Sequence, residues 1–145
     1  MGYNQAYNAY RDTNVKTASQ GRLVVLLYEG AVKQLTLANS MFDENGKIPV
    51  RSIENFGKAL LKAQEIITEL QVSLDMEKGG EIAKNLMSLY IFFNKTLTET
   101  NISKDQSKLK PVLDMMTELC ESWRQAAATN PTASAPVQQT LNIQG

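Results

Sequence analysis

Few side chains in this sequence could do chemistry. Histidine, the commonest general base near neutral pH, is absent. Its absence removes the Glu-x-x-His pairs of a di-iron bundle and the usual zinc ligand sets. Cys120 is the single cysteine. It falls on an apolar stripe of helical spacing with no imidazole to activate it, and reads as a core thiol rather than a nucleophile. Glu77 and Glu81 stand four apart, a spacing that suits an acid and base pair. They flank Gly79-Gly80 at an expected helix start, however, where carboxylates favour the macrodipole. Gly79-Gly80 is too short for a phosphate-cradling loop and lacks the following Lys-Ser or Lys-Thr, so it marks a turn. Trp123 and the methionines sit mostly at helical spacing and read as core. The sequence therefore predicts no catalytic residue, no cofactor and no metal site.

Composition narrows the remaining classes. With 145 residues, 43% of them hydrophobic, the chain suits one domain with a sizeable core. Fifteen basic and 15 acidic side chains cancel, leaving no net field to draw in a polyanion, so nucleic acid is not an expected partner. One cysteine cannot close an intramolecular disulfide, and the opening residues carry no basic and apolar leader pattern, which together predict a cytosolic home. The longest apolar runs, 23–28 and 89–93, fall far short of the roughly 20 residues needed to span a bilayer, so no membrane insertion is expected.

Apolar periodicity divides the middle of the chain into four helical stretches. In the second, Ile53, Phe56, Leu60, Ala63, Ile67, Leu70 and Leu74 follow three-four spacing along one face. Ser52 is its expected N-cap, and Glu54 precedes Lys58 by four on the wet side. The first stretch runs from about Gln20 to Phe42, with Ser19 as N-cap and Leu23, Leu27, Ala31 and Ala38 on the core face. The third carries Ile82, Leu86, Leu89, Phe93 and Leu97. The fourth carries Leu109, Leu113, Met116, Cys120, Trp123 and Ala127, with regular helix expected from near Lys110 because Pro111 suits only a first turn or a kink. Asn45-Gly46 with Pro49, Gly79-Gly80 and the polar segment 101–108 supply the breaks. Short links favour antiparallel neighbours, so the fold predicted is all-α: an antiparallel up-down four-helix bundle over residues 19–127. A short N-terminal helical arm (1–18) bearing Tyr3, Tyr7 and Tyr10 precedes it, and a charge-free tail (128–145) expected to be disordered follows. The first and third stretches hold more apolar residues than one stripe needs: all of 23–28, and Met87, Tyr90, Ile91 and Phe92. Such a surplus serves either self-association or a groove for an amphipathic segment of another protein.

Ordered motifs along the chain resemble the flagellar export chaperone family called FliS. They begin with Asn8-Ala9-Tyr10, Val15 and Thr17-Ala18-Ser19, then Leu23 to Leu27 and Tyr28-Glu29-Gly30-Ala31. The central block is Ile66-Ile67, Leu70, Leu74-Asp75-Met76-Glu77-Lys78-Gly79-Gly80-Glu81-Ile82-Ala83, Asn85-Leu86 and Leu89-Tyr90, and Trp123 and Ala126 close the set. Two departures stand out, Gln20 in place of a proline after Ser19 and Pro111 early in the fourth helix; both bear on helix boundaries. The resemblance implies a chaperone without enzymatic activity that binds the disordered C-terminal segment of flagellin one to one in the cytosol. It further implies that the chaperone prevents premature polymerisation and delivers flagellin to components of the flagellar type III export gate. The apolar surplus then assigns Leu26, Tyr28, Ile66, Met87, Tyr90 and Ile91 to a flagellin-binding groove and Tyr7 and Tyr10 to an N-terminal lid, although the same groove positions would serve as ordinary core. A helical-bundle homo-oligomer, with a homodimer as its simplest form and a structural or adaptor role, is the alternative.

Overall fold

The surplus of apolar residues is reconciled by a bundle in which each helix buries a wide arc. A computed structural model describes residues 17–129, all-helical apart from short connectors: α1 (Thr17–Asn39), α2 (Ile53–Ser73), α3 (Gly80–Ser103) and α4 (Gln106–Thr129), with one 3-10 turn, Val50–Ser52, leading into α2. The tyrosine arm up to residue 16, including Tyr3, Tyr7 and Tyr10, and the tail from residue 130 lie outside the described residues.

Each helix packs on its two neighbours in a ring: α1 on α2 and α4, and α3 likewise on α2 and α4. Pairings along the seams set the directions. Asn39 meets Gln106 and Glu29 meets Arg124, so α1 and α4 run antiparallel. Gln64 meets Thr98 and Gln71 meets Met87, which sets α2 against α3 in the same sense. The core is one cluster drawn from all four helices, with Leu35, Phe56, Leu60, Ile67, Leu70, Phe93, Leu97, Leu109 and Met116 fully enclosed. Cys120 is buried within it as a free thiol, and burial pushes its pKa up.

The expected stripe on α2 is buried from Phe56 through Leu70, and Ala59 and Ile66 widen it. Its ends differ. Ile53 is exposed in the first turn, and Leu74 lies just past the last. Lys58 and Glu54 pair at 3.3 Å on the solvent side, where such contacts are worth a few tenths of a kcal/mol.

Several boundaries move for local reasons. Helix α1 starts at Thr17, so Ser19 stands inside it rather than at its cap. Ser52 makes no side-chain cap bond, because the preceding 3-10 turn leaves it at φ −103°, ψ −5° instead of the extended conformation from which a hydroxyl reaches the first free N–H groups. The link expected over 101–108 contracts to Lys104 and Asp105. Lys104 takes a left-handed φ of 56° and returns its N–H to Thr100 O at 2.7 Å, closing α3. Asp105 then opens α4: its Oδ1 accepts from the Ser107 hydroxyl at 2.7 Å and the Ser107 N–H at 2.9 Å. That cap starts α4 at Gln106, four residues before Lys110, and Pro111 is carried inside the helix as its sixth residue, where it leaves the Ser107 carbonyl without the N–H that would close the ladder there. Between α2 and α3, Asp75 Oδ1 accepts from the N–H groups of Glu77 and Lys78. Gly79 packs so closely that a Cβ would lie 2.6 Å from the Ala83 methyl, and Gly80 follows at φ +55°. Glu81 stands in the first turn of α3 and Glu77 in the connector, both exposed.

The Asp105 cap has a pH signature. Ser107, through its hydroxyl and then its N–H, holds the Asp105 carboxyl below its usual value. Its charged form thus stabilises the fold above the unfolded-state pKa, and the contribution is lost as pH falls through the lower folded value. Thermal melts should show Asp105→Ala less stable than the parent at neutral pH, with the gap closing in acid; a pH-independent gap would exclude the charged cap.

Candidate functional site

The residues expected to line a groove divide into two environments. Tyr28 on α1, Ile66 on α2 and Tyr90 on α3 are enclosed, with relative exposures of 0%, 0% and 1%. The hydroxyls of Tyr28 and Tyr90 meet at 2.6 Å across the middle of the bundle, joining two helices that lie diagonally in the ring. Trp123 packs against Tyr28 with ring centroids 6.0 Å apart and the ring planes tilted by 33°. Burial pushes the Tyr28 phenol well up, with the bond from Tyr90 opposing in part, and burial likewise raises Tyr90. Both phenols are therefore neutral at physiological pH. In this conformation these three expected groove residues offer no surface to a ligand.

Leu26 and Ile91 face outward, 46% and 53% exposed, and Phe92 beside Ile91 is 52% exposed. Met87 is half-buried, its Sδ accepting from Gln71 Nε2 at 3.4 Å. Met87 and Ile91 share an outer region of α3, whereas Leu26 projects from α1, which does not neighbour α3 in the ring. The structure therefore does not bring Leu26 and Ile91 together on one wall.

Between α2 and α3 runs a polar seam that periodicity did not single out. Gln64 Nε2 donates to Asn94 O at 3.0 Å and to Thr98 Oγ1 at 2.9 Å. Asn94 Nδ2 donates to Thr68 Oγ1 and to Gln71 Oε1 at 3.3 and 3.2 Å, leaving Asn94 Oδ1 buried without a partner. Leu61 and Val72 stand exposed elsewhere on α2. The signal available in the sequence was the spacing of Gln64, Thr68 and Gln71, which follows the same three-four rule as the apolar stripe. At the other side of the bundle Arg124 of α4 joins Glu29 of α1 at 2.9 Å and Glu121 at 3.1 Å, half-exposed pairs of modest worth. Among the described residues no group of three or more His, Cys, Asp or Glu is placed to hold a metal ion, and no helix is long and apolar enough to cross a membrane.

One enclosed core drawn from all four helices defines an all-helical bundle. The family model described as flagellar protein FliS matches residues 3–130. The chain belongs to that family, as the central block indicated. It is 36% identical over 122 residues to the flagellar secretion chaperone FliS of Vibrio cholerae, covering 83% of this chain and 85% of the relative. It is 35% identical to that of Salmonella typhimurium (79% and 81% covered) and 29% identical to that of Bacillus subtilis (87% and 89% covered). The family is one of secretion chaperones, not of enzymes, and the function it supports here is that of a flagellar export chaperone.

The hydroxyl pair gives a test of interior polarity. Replacing either Tyr28 or Tyr90 by Phe strands the other hydroxyl in the core, at a cost of about 1–3 kcal/mol. The double Phe variant should lose less than the sum of the singles in denaturant melts, and strict additivity would show that the two hydroxyls do not depend on each other.

Proposed function

We propose that this protein binds the C-terminal segment of flagellin, one to one and in the cytosol. In this reading it keeps the segment from polymerising and presents it to components of the flagellar type III export gate. The observation that carries the reading is the pair of large apolar side chains, Ile91 and Phe92, left exposed on α3 of a bundle whose own core is complete. A bundle with its core already filled leaves such side chains outward at a cost in hydration unless a partner covers them. An amphipathic segment that is unstructured when free supplies that cover, folding as it docks.

Charge supports the same view. The chain is formally neutral, so the partner is selected by apolar contact rather than drawn in by a net field. The docking residues proposed are Ile91, Met87 and Leu26. Because α1 and α3 are diagonal, a single segment touching both Leu26 and Ile91 must pass around the outside of the bundle. Tyr28, Ile66 and Tyr90 enter the proposal as the interior that holds these helices in place. Tyr7 and Tyr10, on the segment preceding α1, remain the proposed lid, a weakly held aromatic arm that covers apolar surface until the ligand displaces it.

Replacing Ile91 by Asp should weaken binding of a C-terminal flagellin peptide at least tenfold, about 1.4 kcal/mol. Helicity should stay at the parental value, since the side chain is mostly outside the core. Fluorescence anisotropy and circular dichroism on the same sample read both. Unchanged affinity would remove the α3 face from the site, and loss of helicity would show Ile91 to be structural.

A further inference from the structure

The connector from α1 to α2 contains the chain's one Asn-Gly step, Asn45-Gly46. Asp43 organises this turn. Its Oδ1 accepts from Asn45 N at 2.8 Å and Lys47 N at 3.0 Å, and its own N–H donates to Lys47 O at 2.7 Å. Asn45 is exposed. Gly46 takes φ +73°, and nothing lies within 4 Å of where a Cβ would stand, so no packed side chain crowds the glycine of this step. The Gly46 N–H is held by one bond, to Asp43 O at 2.9 Å.

Asn39-Ser40, on the same stretch of chain, provides the contrast. Asn39 Oδ1 accepts from Gln106 Nε2 at 3.1 Å, and the Ser40 nitrogen is engaged by both Thr36 O and Leu37 O in the closing turn of α1. There the side-chain amide is tied to α4 and the neighbouring backbone nitrogen is tied to its own helix.

We propose that Asn45 is a site of spontaneous covalent modification in this protein, with water as the only co-reactant. The Gly46 backbone nitrogen gives up its proton to solvent base and attacks Asn45 Cγ. A nitrogen–carbon bond forms, the Cγ–Nδ2 bond breaks, and the side-chain nitrogen takes up a proton and leaves as ammonia. The result is a five-membered imide, with no change of oxidation state. Water opens the imide at either carbonyl, giving aspartate at position 45 or an isoaspartyl link in which the main chain passes through the former side-chain carbon.

The two products differ in consequence. Both place a new carboxylate beside Asp43 and Glu44 and shift the formal charge of the chain by one negative unit. Only the isoaspartyl form inserts a methylene into the backbone between Asp43 and Lys47, where it breaks the register of the bonds these two residues share. The segment so loosened begins beside Phe42, which packs edge-on against Phe56 with centroids 5.4 Å apart, and leads to Ile48 at the margin of the core. The damage is thus to the fastening of α1 to α2, leaving the helices themselves intact.

The test is to incubate the folded full-length protein in mildly alkaline buffer, then map peptides by mass with an isoaspartate-specific readout. Conversion of amide to acid should accumulate at Asn45 while Asn39 stays unchanged, and Asn45→Gln should abolish the acidic species seen on ion exchange. The isolated isoaspartyl species should melt below the parent, whereas Asn45→Asp, which adds the charge without the methylene, should melt with it. The proposal is overturned if Asn45 in the folded protein keeps its amide as long as Asn39 does. Equal melting of the isoaspartyl species and Asn45→Asp would overturn the structural consequence.

Discussion

Two phenolic hydroxyls at the centre of an apolar core remain there only if they are hydrogen-bonded. The Tyr28–Tyr90 contact at 2.6 Å supplies that bond, and in doing so fixes how α1 and α3 face across the bundle. Neighbouring helices can slide by a turn and still bury leucine against leucine, but the diagonal pair cannot shift without leaving a hydroxyl unbonded in the core. With those two faces fixed inward, Leu26 on α1 and Ile91 and Phe92 on α3 are turned outward. The outward placement of these apolar side chains follows from the interior arrangement.

The two seams along α3 and α1 divide the remaining work. The seam between α2 and α3 is fastened by amides and hydroxyls, and the α1–α4 side by the Glu29–Arg124 pair at one level and Asn39–Gln106 at the other. Directional bonds of this kind contribute little net energy each, but they set register where apolar contact alone would tolerate slippage. Specificity of the bundle therefore lies in its polar contacts, and most of its stability in the shared core.

Much of this architecture was legible in the sequence. The stripe through Phe56, Leu60, Ala63, Ile67 and Leu70 gave α2 and its inward face, and the Asn45-Gly46 and Gly79-Gly80 steps gave two of the turns. The motifs of the central block gave the family. Helix α4 starts four residues before the position Pro111 suggests, because Asp105 caps it and its capping role depends on a link only two residues long. Ser52 failed as a hydroxyl cap because a 3-10 turn before it changed its backbone angles. The core faces of α1 (Leu23, Leu27, Ala31, Ala38) and α3 (Leu86, Phe93, Leu97) were legible too, but a run such as 23–28 is apolar in every direction and periodicity cannot separate Tyr28, which is core, from Leu26, which is not. That distinction depends on Tyr28 having a hydroxyl partner 62 residues away.

The central claim is that an already complete bundle uses its exposed apolar side chains to order a segment that is unstructured when free. Calorimetric titration of the protein with the C-terminal segment of its flagellin, repeated at several temperatures, tests it most directly. The account predicts saturable one-to-one binding with a clearly negative heat-capacity change, the mark of apolar burial coupled to folding. Absence of binding by the folded monomer, or binding with no heat-capacity change, would contradict it.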